Sequence, residues 1–552
     1  MTRARSAAST VVALALVLGA CGGGDDDSAG DDAGGGSNGG TASTASTTPA
    51  EPEHGGTLVY GIEAETAGGF CLPEAQLAVS GIQVARSMYE TLTAPNSEGE
   101  YVPLLAESVT PNETYDEWTI VLREGVKFHD GSDLTAEVVK NNIDAGRGLY
   151  PARRPLLGPL VTNNWDEVTV SGPLTLVVTT KTPWPAFPAH LYASGRVGIM
   201  AQAQLDDEEH CADHMIGTGP FMLEDWVPND HLTVVKNPDY WREGLPYLDR
   251  IEFRPILEAT QRVNALQSGE IQATHTMNNL QVAQLQDLAA QGDIGIYQTD
   301  EFADTVYTLL NTSQPPFDNI LARRALATAT DSETLNEVRE MSIPKRATGP
   351  FPPGSIGYLD DTGLPEFDLA EAKRLVEQYE AESGEPLELT LLSTPEPANI
   401  ESGQMVAEMA AAAGIEVRLQ QIEEAQLINQ VLGGDYNAVF WRGHSGGDPD
   451  LQYSWWRADS PVNFGRFADV EIDRLLDEGR VESDPALREE IYADLNRRFA
   501  EELYNLWGFW SMWTIGTSTD VHGVLGPDLP DGSAPFPGLA DGHPVTGLWI
   551  EQ

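Results

Sequence analysis

The feature that most constrains the fold is a regular alternation of helical and strand patterns between residues 369 and 441. Apolar side chains fall at helical spacing over 369–383, and an apolar, strand-like run follows over 387–392. Two further helix–strand pairs follow, with helices over 403–413 and 424–432 and strands over 416–420 and 438–441. This alternation predicts an open α/β sheet, whose ligands sit beyond the carboxyl ends of the strands.

Shorter patterns predict elements outside this stretch. Strands are expected over 57–62, 118–122, 174–179, 232–236 and 306–311, and helices over 82–92, 133–143, 259–266 and 320–330. Asp133 is expected to cap the helix that begins at that position, because a carboxylate can accept the free backbone N–H groups of a first turn.

The chain is too long for one hydrophobic core. Roughly 500 residues follow position 54, whereas single cores stop growing beyond about 250–300 residues. The hydrophobic fraction of 41% and the aromatic fraction of 8% are ordinary for a globular protein. We therefore predict two lobes.

The charge is strongly acidic. With 85 acidic and 32 basic side chains the formal net charge is −53. General nucleic-acid binding needs a basic footprint, so this class is excluded. Docking on anionic lipid through the protein surface is disfavoured for the same reason. A solvated acidic surface accounts for the charge, which does not by itself indicate a metal or a cationic ligand.

The N-terminus carries an export signal. Arg3 and Arg5 precede an apolar run over 7–18, which is shorter than the ~20 residues needed to span a bilayer. The sequence Leu-Gly-Ala then leads directly into Cys21 and is similar to a bacterial lipobox. We predict that residues 1–20 are a lipoprotein signal peptide and that Cys21 is lipidated. A plain signal peptide with a chance cysteine is the alternative.

Residues 21–54 form the predicted lipidated cysteine and tether. Gly, Ser, Thr, Ala and Asp dominate this segment, which cannot bury enough apolar surface to offset chain entropy. A disordered chain of this length reaches roughly 30 Å. No other segment has the ~18 consecutive apolar residues of a membrane span, so we expect attachment to the membrane through the lipid only.

Two cysteines remain after Cys21. An even pair in an exported chain predicts a disulfide, here between Cys71 and Cys211. Two buried free thiols are the alternative.

One motif suggests hydrolytic chemistry. The segment 443–447 fits G-x-S-x-G, the nucleophile elbow of α/β-hydrolases, with Ser445 at its centre. Asp473 with His522 or His543 could complete a triad. Against this interpretation, several residues separate Ser445 from the next helix, and no HGGG-type oxyanion loop is visible. We therefore favour a loop in a binding cleft and assign no catalytic residue.

Two histidine motifs have structural interpretations. His210 and His214 lie four apart beside acidic residues and could hold Zn²⁺ or Ni²⁺ on a helix, but the pattern also fits an exposed loop whose Cys211 is used in the disulfide. His129 precedes Gly131 in a His-Asp-Gly turn and is expected to be structural. We expect neither a metal nor a cofactor.

Tryptophan is dense near the C-terminus. Many of these side chains are expected in the core or hinge, but a cleft that surrounds an apolar or peptide ligand also needs rigid aromatic walls. Trp441, at a strand end, and Trp455, on the helix after Asp448-Pro449, are the predicted lining residues. The dense group comprises Trp441, Trp455, Trp456, Trp507, Trp510 and Trp513.

Seven blocks of the chain resemble family 5 of the bacterial extracellular solute-binding proteins, the peptide- and nickel-binding family of ABC importers. Each block alone is modestly specific, whereas seven in this order are strongly specific and cover nearly the whole mature chain. They comprise residues 101–110, 118–140, 216–222 with 236–242, 245–257, 265–272, 310–332 and 463–480.

The resemblance implies a two-lobed, type II periplasmic-binding-protein-like α/β fold of the large peptide-binder class, with a hinge and an interlobe cleft. Lobe I would comprise residues 55–300 plus 511–552, and lobe II residues 301–510. It also implies that the segment after the strand over 438–441 lines the cleft. The expected ligand-binding residues are Glu63, Phe70, Trp441, Arg442, His444, Ser445, Asp448 and Trp455.

The family also implies a function. A monomeric, lipid-anchored protein on the outer face of the cell membrane would capture a peptide or small solute by lobe closure and deliver it to ABC permease subunits. Peptide-binding members carry an Asp that pairs with the peptide α-ammonium, four residues before the Pro of this loop. Here that position is Ser445, which puts a free peptide N-terminus in doubt. A serine hydrolase and a ligand sensor for a membrane receptor are the alternatives.

Overall fold

The structure is a computed structural model that describes residues 51–66, 68–75, 77–155, 158, 162–193, 196–443 and 447–552. The predicted signal peptide, Cys21 and nearly all of the predicted tether lie outside these residues, as do His444 and Ser445. Within the described ranges, no helix has both the length and the apolar character required to cross a bilayer.

The strands are defined as follows. In chain order they are β1 Thr57–Ile62, β2 Thr93–Pro95, β3 Tyr101–Pro103, β4 Ala106–Pro111, β5 Glu117–Leu122, β6 Trp165–Gly172, β7 Thr175–Thr180, β8 Phe221–Val227, β9 His231–Lys236, β10 Arg250–Pro255, β11 Ala273–Thr276, β12 Gly295–Thr299, β13 Thr305–Leu310, β14 Glu388–Ser393, β15 Glu416–Gln421, β16 Ala438–Arg442, β17 Asn505–Trp510, β18 Trp513–Thr517, β19 Val521–His522 and β20 Trp549–Ile550.

The helices are named here by their residue ranges. They are Val79–Met88, Ala136–Gly146, Phe187–His190, Gln202–Asp206, Ala259–Ser268, Asn279–Gln291, Ile320–Ala329, Ser332–Arg339, Leu369–Ser383, Pro397–Ala413, Glu424–Gly433, Tyr453–Trp456, Val470–Val481 and Pro485–Glu502, with a 3₁₀ turn at Pro449–Gln452.

One part of the molecule is built on a seven-stranded sheet with the order β12-β18-β11-β1-β10-β9-β8. Its central strand β1 runs parallel to β10 and β11, and the outer strands add in antiparallel fashion. A four-stranded antiparallel sheet, β4-β5-β7-β6, belongs to the same part of the chain. We call this part lobe I.

The second part is built on a five-stranded sheet with the order β15-β14-β16-β13-β17. Strand β14 pairs in parallel with β15 and β16, and the helices Pro397–Ala413 and Glu424–Gly433 connect these strands. The open α/β arrangement predicted from the alternation over 369–441 is therefore confirmed. We call this part lobe II.

The chain crosses between the two lobes at β12 to β13 and again at β17 to β18. The backbone N–H of Ser511 on the second crossing donates to the carbonyl of Asp304 on the first, at 3.0 Å. The two crossings therefore lie side by side, which is the geometry of a hinge.

Local signals explain where helices begin and end. The Asp368 carboxylate accepts the N–H groups of Ala370 and Glu371, and Gly384 ends this helix with φ 76°. The prediction for Asp133 is wrong, because Thr135 caps the helix that begins at Ala136. Asp133 lies instead in a β-bridge with Lys127 and pairs with its ammonium at 2.5 Å, which keeps the backbone extended there.

Candidate functional site

Arg442, the last residue of β16, contacts both lobes. Its Nε lies 3.0 Å from a carboxylate oxygen of Asp304 at the hinge. Its Nη1 donates to the Met277 sulfur of lobe I at 2.7 Å, and its guanidinium lies 5.9 Å from the ring centre of Trp513. The predicted cleft residue Arg442 is thus placed where lobe II meets lobe I.

Asp304 is the hinge partner of this arginine. Its buried carboxylate accepts hydrogen bonds from the Trp513 indole at 3.1 Å and from the Ser511 hydroxyl. Burial raises the pKa of Asp304, and the positive charge of Arg442 opposes that rise. The pair therefore links the hinge segments to the end of β16.

Glu63 follows β1 directly and lies on the lobe I side of the same region. Its Oε1 is 3.3 Å from Nη2 of the buried Arg262. Burial raises the pKa of Glu63, and the charges of Arg262 and Arg442 act in the opposite direction. The charge of Arg442, which belongs to lobe II, thus helps to stabilise the ionised form of Glu63 in lobe I.

A cavity of about 250 Å³ lies in lobe II and includes Arg442 and Gly443 in its walls. Trp441 and Trp455, both predicted from the sequence, line this cavity. Their rings stand 5.8 Å and 5.6 Å from that of Phe464. Further aromatic walls are Tyr307, Trp456, Phe467 and Trp507.

A larger depression of about 890 Å³ also lies on lobe II, and its lining mixes apolar side chains with many charged ones, such as Arg324, Glu371 and Arg497. Several of its charged groups pair with neighbouring ions, as Arg497 does with Asp494 at 2.7 Å and Arg498 with Asp469 at 2.8 Å. It shares no lining residue with the aromatic cavity. We therefore base the candidate site on the aromatic cavity and Arg442.

Phe70 does not belong to this site. It is 1% exposed in the core of lobe I, and its ring packs edge-on against Trp226 at 5.6 Å. Phe70 thus lies among core side chains and beside Cys71 rather than at the aromatic cavity, and its role in ligand binding stays a prediction.

Asp448 has structural partners. Its carboxylate accepts the backbone N–H of Asp450 at 2.9 Å, which caps the 3₁₀ turn, and it accepts from Arg488 Nη1 at 2.7 Å. Both carboxylate oxygens are used in this way. Asp448 therefore ties the start of the 3₁₀ turn to the helix Pro485–Glu502, whereas His444 and Ser445 lie outside the described residues.

Asp450, within the 3₁₀ turn, connects the two lobes. Its fully buried carboxylate accepts from the Trp184 indole at 2.5 Å and from His190 Nε2 at 2.9 Å, both in lobe I. Arg480 of lobe II donates to it at 2.8 and 3.1 Å. Burial alone would raise the pKa of Asp450, but Arg480 and His190 hold it well below its usual value.

The partners proposed for a Ser445 triad are engaged elsewhere. The ring nitrogens of His543 contact the Tyr60 hydroxyl at 3.0 Å and the Val524 carbonyl at 2.6 Å. His522 stacks on Trp549, and Asp473 accepts the backbone N–H of Ala458. These contacts give the candidate triad residues structural roles.

The histidine motif at 210–214 lies on one turn beside a disulfide. Cys71 and Cys211 are bonded in the structure, with Cα atoms 5.1 Å apart. His210, Asp213 and His214 could supply metal ligands, since their ligand atoms lie within 4.8 Å of one another. All three are exposed, and His214 pairs with Asp207 at 3.2 Å.

His129 is a structural residue in the described fold. Its Nδ1 accepts the N–H of Gly217 at 3.2 Å, and its Nε2 lies 3.1 Å from the carbonyl oxygen of Gly219. Burial lowers the pKa of His129 to about 4, which favours the neutral ring that this pattern requires. The ring therefore holds the 217–219 loop in place.

Sequence reasoning missed several residues of the site. Met277 and Asp304 lie in a loop and a hinge segment, and only tertiary contacts bring them to Arg442. Tyr307 could have been found, because it shares one face of a predicted strand with the buried Thr305 and Leu309. Trp507 belonged to the dense tryptophan group, but nothing in the sequence indicated whether it lines a cavity or packs in the core.

Known proteins resemble this chain in sequence. The model of the bacterial extracellular solute-binding proteins, family 5 (middle region), matches residues 100–465. The glutathione-binding protein GsiB of Salmonella paratyphi A is 31% identical over 351 residues, which cover 63% of this chain and 67% of that protein. GsiB of Escherichia coli O157:H7 is 29% identical over 425 residues, covering 74% and 80%.

Solved structures share the fold. AgaA of A. tumefaciens R10, in complex with agropinic acid, has a TM-score of 0.78 at 24% identity, covering 90% of this chain and 99% of its own. The periplasmic binding protein DppA of Helicobacter pylori, in complex with the peptide STSA, has a TM-score of 0.77 at 21% identity, covering 91% and 99%. The predicted two-lobed binding-protein fold is thereby confirmed. Because the family model spans well over half of its length, the chain belongs to family 5 of the bacterial extracellular solute-binding proteins.

Proposed function

We propose that this protein is the lipid-anchored, extracytoplasmic substrate-binding component of an ABC importer. It captures a peptide or a similarly small solute between its lobes and delivers it to the permease subunits. No bond of the solute is broken, so no residue has a catalytic role.

The observation that carries this proposal is the position of the aromatic cavity. Its wall includes Arg442, which contacts Asp304 at the hinge and Met277 in lobe I. A solute that enters the cavity from the cleft therefore lies beside groups of both lobes. Concave apolar sites with a few polar groups at their edge are typical of small-molecule binding.

The two adjacent crossings allow the lobes to close about them as a hinge. A solute that contacts both lobes binds the closed form better than the open form, so it shifts the population toward closure. The boundaries proposed for this motion are lobe I at 55–300 plus 511–552 and lobe II at 301–510. The closed form is then the state that the permease recognises.

The ligand class rests on the family. GsiB is named for glutathione binding, and the DppA and AgaA structures hold the peptide STSA and agropinic acid. These are small solutes, and this chain is proposed to take one of comparable size. The neutral Ser445 argues against a charge-assisted anchor for a free α-ammonium at that position.

Native mass spectrometry of protein purified without refolding tests solute capture. We expect a mass excess of one small molecule per chain, and small-angle scattering should show a more compact particle with the solute than without it. A protein that captures no solute from an extract of its growth medium and never changes shape would contradict the proposal.

Replacement of Cys21 by Ala tests the anchor. The lipobox requires the thiol for acylation, so the variant should appear in the medium or remain unprocessed. Cell fractionation gives the answer, with Ser28→Ala in the tether as the matched control. If the Cys21→Ala variant stays with the membrane as the parent does, the anchor is wrong.

A further inference from the structure

The floor of the aromatic cavity is one face of three adjacent strands. Tyr307 on β13 pairs with Trp441 on β16 and with Trp507 on β17. Residues opposite each other on neighbouring strands point to the same face, so the three rings lie side by side. The rings of Tyr307 and Trp507 are 4.9 Å apart. The floor is therefore a rigid aromatic surface.

Most of the remaining wall residues are also apolar. Trp455 and Phe464 come from the segment after β16, and Ile428 and Leu432 come from the helix Glu424–Gly433. The volume of about 250 Å³ is slightly smaller than that of typical sites for drug-sized ligands, which begin at roughly 300 Å³. The space suits one ring system.

Two polar atoms in the walls have no partner. Among the described residues, Asn505 Oδ1 and Trp507 Nε1 are buried and make no hydrogen bond, and both residues line the cavity. Their side chains are 2% and 7% exposed. Thr305, Gln452 and Arg442 also line the cavity, and Arg442 stands where the cavity wall meets the lobe boundary.

We propose that this cavity is the specificity subsite for a ring or a comparably bulky apolar group of the transported solute, whose polar remainder lies toward Arg442 and the cleft. This inference rests on the function proposed above and deepens it by naming the solute class. Solutes without such a group would leave the aromatic walls in water. They would therefore bind about 30- to 100-fold more weakly, as expected for the loss of one buried ring.

A cavity-filling variant tests the subsite. Gln452 is half-buried and lines the cavity, so Gln452→Trp places an indole into the space that the solute group would use. The matched control Leu487→Trp adds the same side chain at a half-exposed position on the helix Pro485–Glu502. Circular dichroism and the thermal midpoint establish that each variant is folded.

Indole serves as the aromatic probe and inositol as a polar ring of similar size, with binding followed by calorimetry and by saturation-transfer NMR. Indole should bind the parent and Leu487→Trp and should bind Gln452→Trp at least tenfold more weakly, whereas inositol should bind none of them. Equal indole binding by both variants, or no indole binding by the parent, would overturn the subsite.

The captured solute gives a second, independent readout. Parent protein freed of solute by dialysis is incubated with an extract of growth medium, and the bound mass is identified. A captured solute that carries a ring or a bulky apolar group, and that Gln452→Trp loses, supports the subsite. A captured solute without such a group overturns it while the binding function stands. Failure of every variant to capture any solute contradicts the binding function itself, and indole binding still reports on the cavity.

Discussion

Burial sets the charge of two histidines in the core of lobe I. His275 lies 3.1 Å from the Ser80 hydroxyl, and His543 lies 3.0 Å from that of Tyr60. Burial lowers the pKa of each to about 3, with a smaller contribution from nearby positive charge. Both rings are therefore neutral in the folded protein at neutral pH, whereas in the unfolded chain they would titrate near pH 6.5.

These histidines predict acid sensitivity. Between about pH 6.5 and pH 3 the unfolded state binds more protons than the folded state, so the free energy of unfolding falls as the pH falls. Each ring contributes a slope of about 1.4 kcal/mol per pH unit at most. Urea unfolding at pH 5, 6 and 7 measures the slope, and His275→Asn should have a shallower slope than the parent.

Gln291→Asn, at an exposed side chain without a titratable group, is the control for this experiment and should keep the slope of the parent. Buried acids such as Glu63 and Asp304, whose pKa values are raised, act with the opposite sign. Comparing slopes between variants isolates the histidine contribution. Identical slopes for the parent and His275→Asn would show that this ring does not couple protonation to unfolding.

The two cysteines of the mature core give a second residue-scale prediction. A bond between Cys71 and Cys211 closes a loop with a sequence separation of 140, for which chain entropy gives roughly 5 kcal/mol as an upper value. Denatured, unreduced mature protein lacking Cys21 should therefore contain no reactive thiol. A count of two thiols per chain would rule the disulfide out, and reduction should lower the thermal midpoint.

At the scale of elements, helix caps decided how well the boundaries could be predicted. The helix Leu369–Ser383 has the bounds that its pattern predicted, because Asp368 and Gly384 mark its two ends. The helix near residue 133 begins three residues later than predicted. There a β-bridge with Lys127 holds Asp133 in extended backbone, and this contact is invisible to a local pattern.

The contribution of the Asp368 cap to the free energy of unfolding can be measured. Asp368→Ala removes the acceptor for two backbone N–H groups and should lower the free energy of unfolding by about 1 kcal/mol. Glu377→Ala, at an exposed position on the same helix, removes a similar charge without a cap and should change stability much less. Urea midpoints compare the two variants, and equal losses would contradict the capping role.

For the whole molecule, Asp450 is the contact most directly tied to lobe closure. It lies in lobe II, yet Trp184 and His190 of lobe I donate to it. Opening the lobes would break these bonds and expose a carboxylate that is otherwise fully buried. We therefore expect Trp184→Phe, which removes one donor and keeps the ring, to shift the protein toward the open form.

Small-angle scattering with and without captured solute measures this shift. Asp450→Asn should also lower the free energy of unfolding, because it leaves Arg480 of the same lobe buried without its counter-charge, and removal of one partner of such a pair costs about 3–5 kcal/mol. The exposed pair of Asp477 with Arg457 supplies the control Asp477→Asn. If Trp184→Phe and the control have the same dimensions as the parent, Asp450 does not hold the lobes together.

The sequence by itself determined the α/β alternation of lobe II, the family and the aromatic character of Trp441 and Trp455. These features are local, since hydrophobic spacing, cap residues and motif blocks each involve residues that are close together in the sequence. Only the tertiary structure decided that Arg442 meets Asp304 and Met277, that Tyr307 and Trp507 complete the cavity, and that Phe70 lies in the core. Those placements depend on strand order and lobe contacts between residues far apart in sequence, and no local pattern encodes which side chains will meet there.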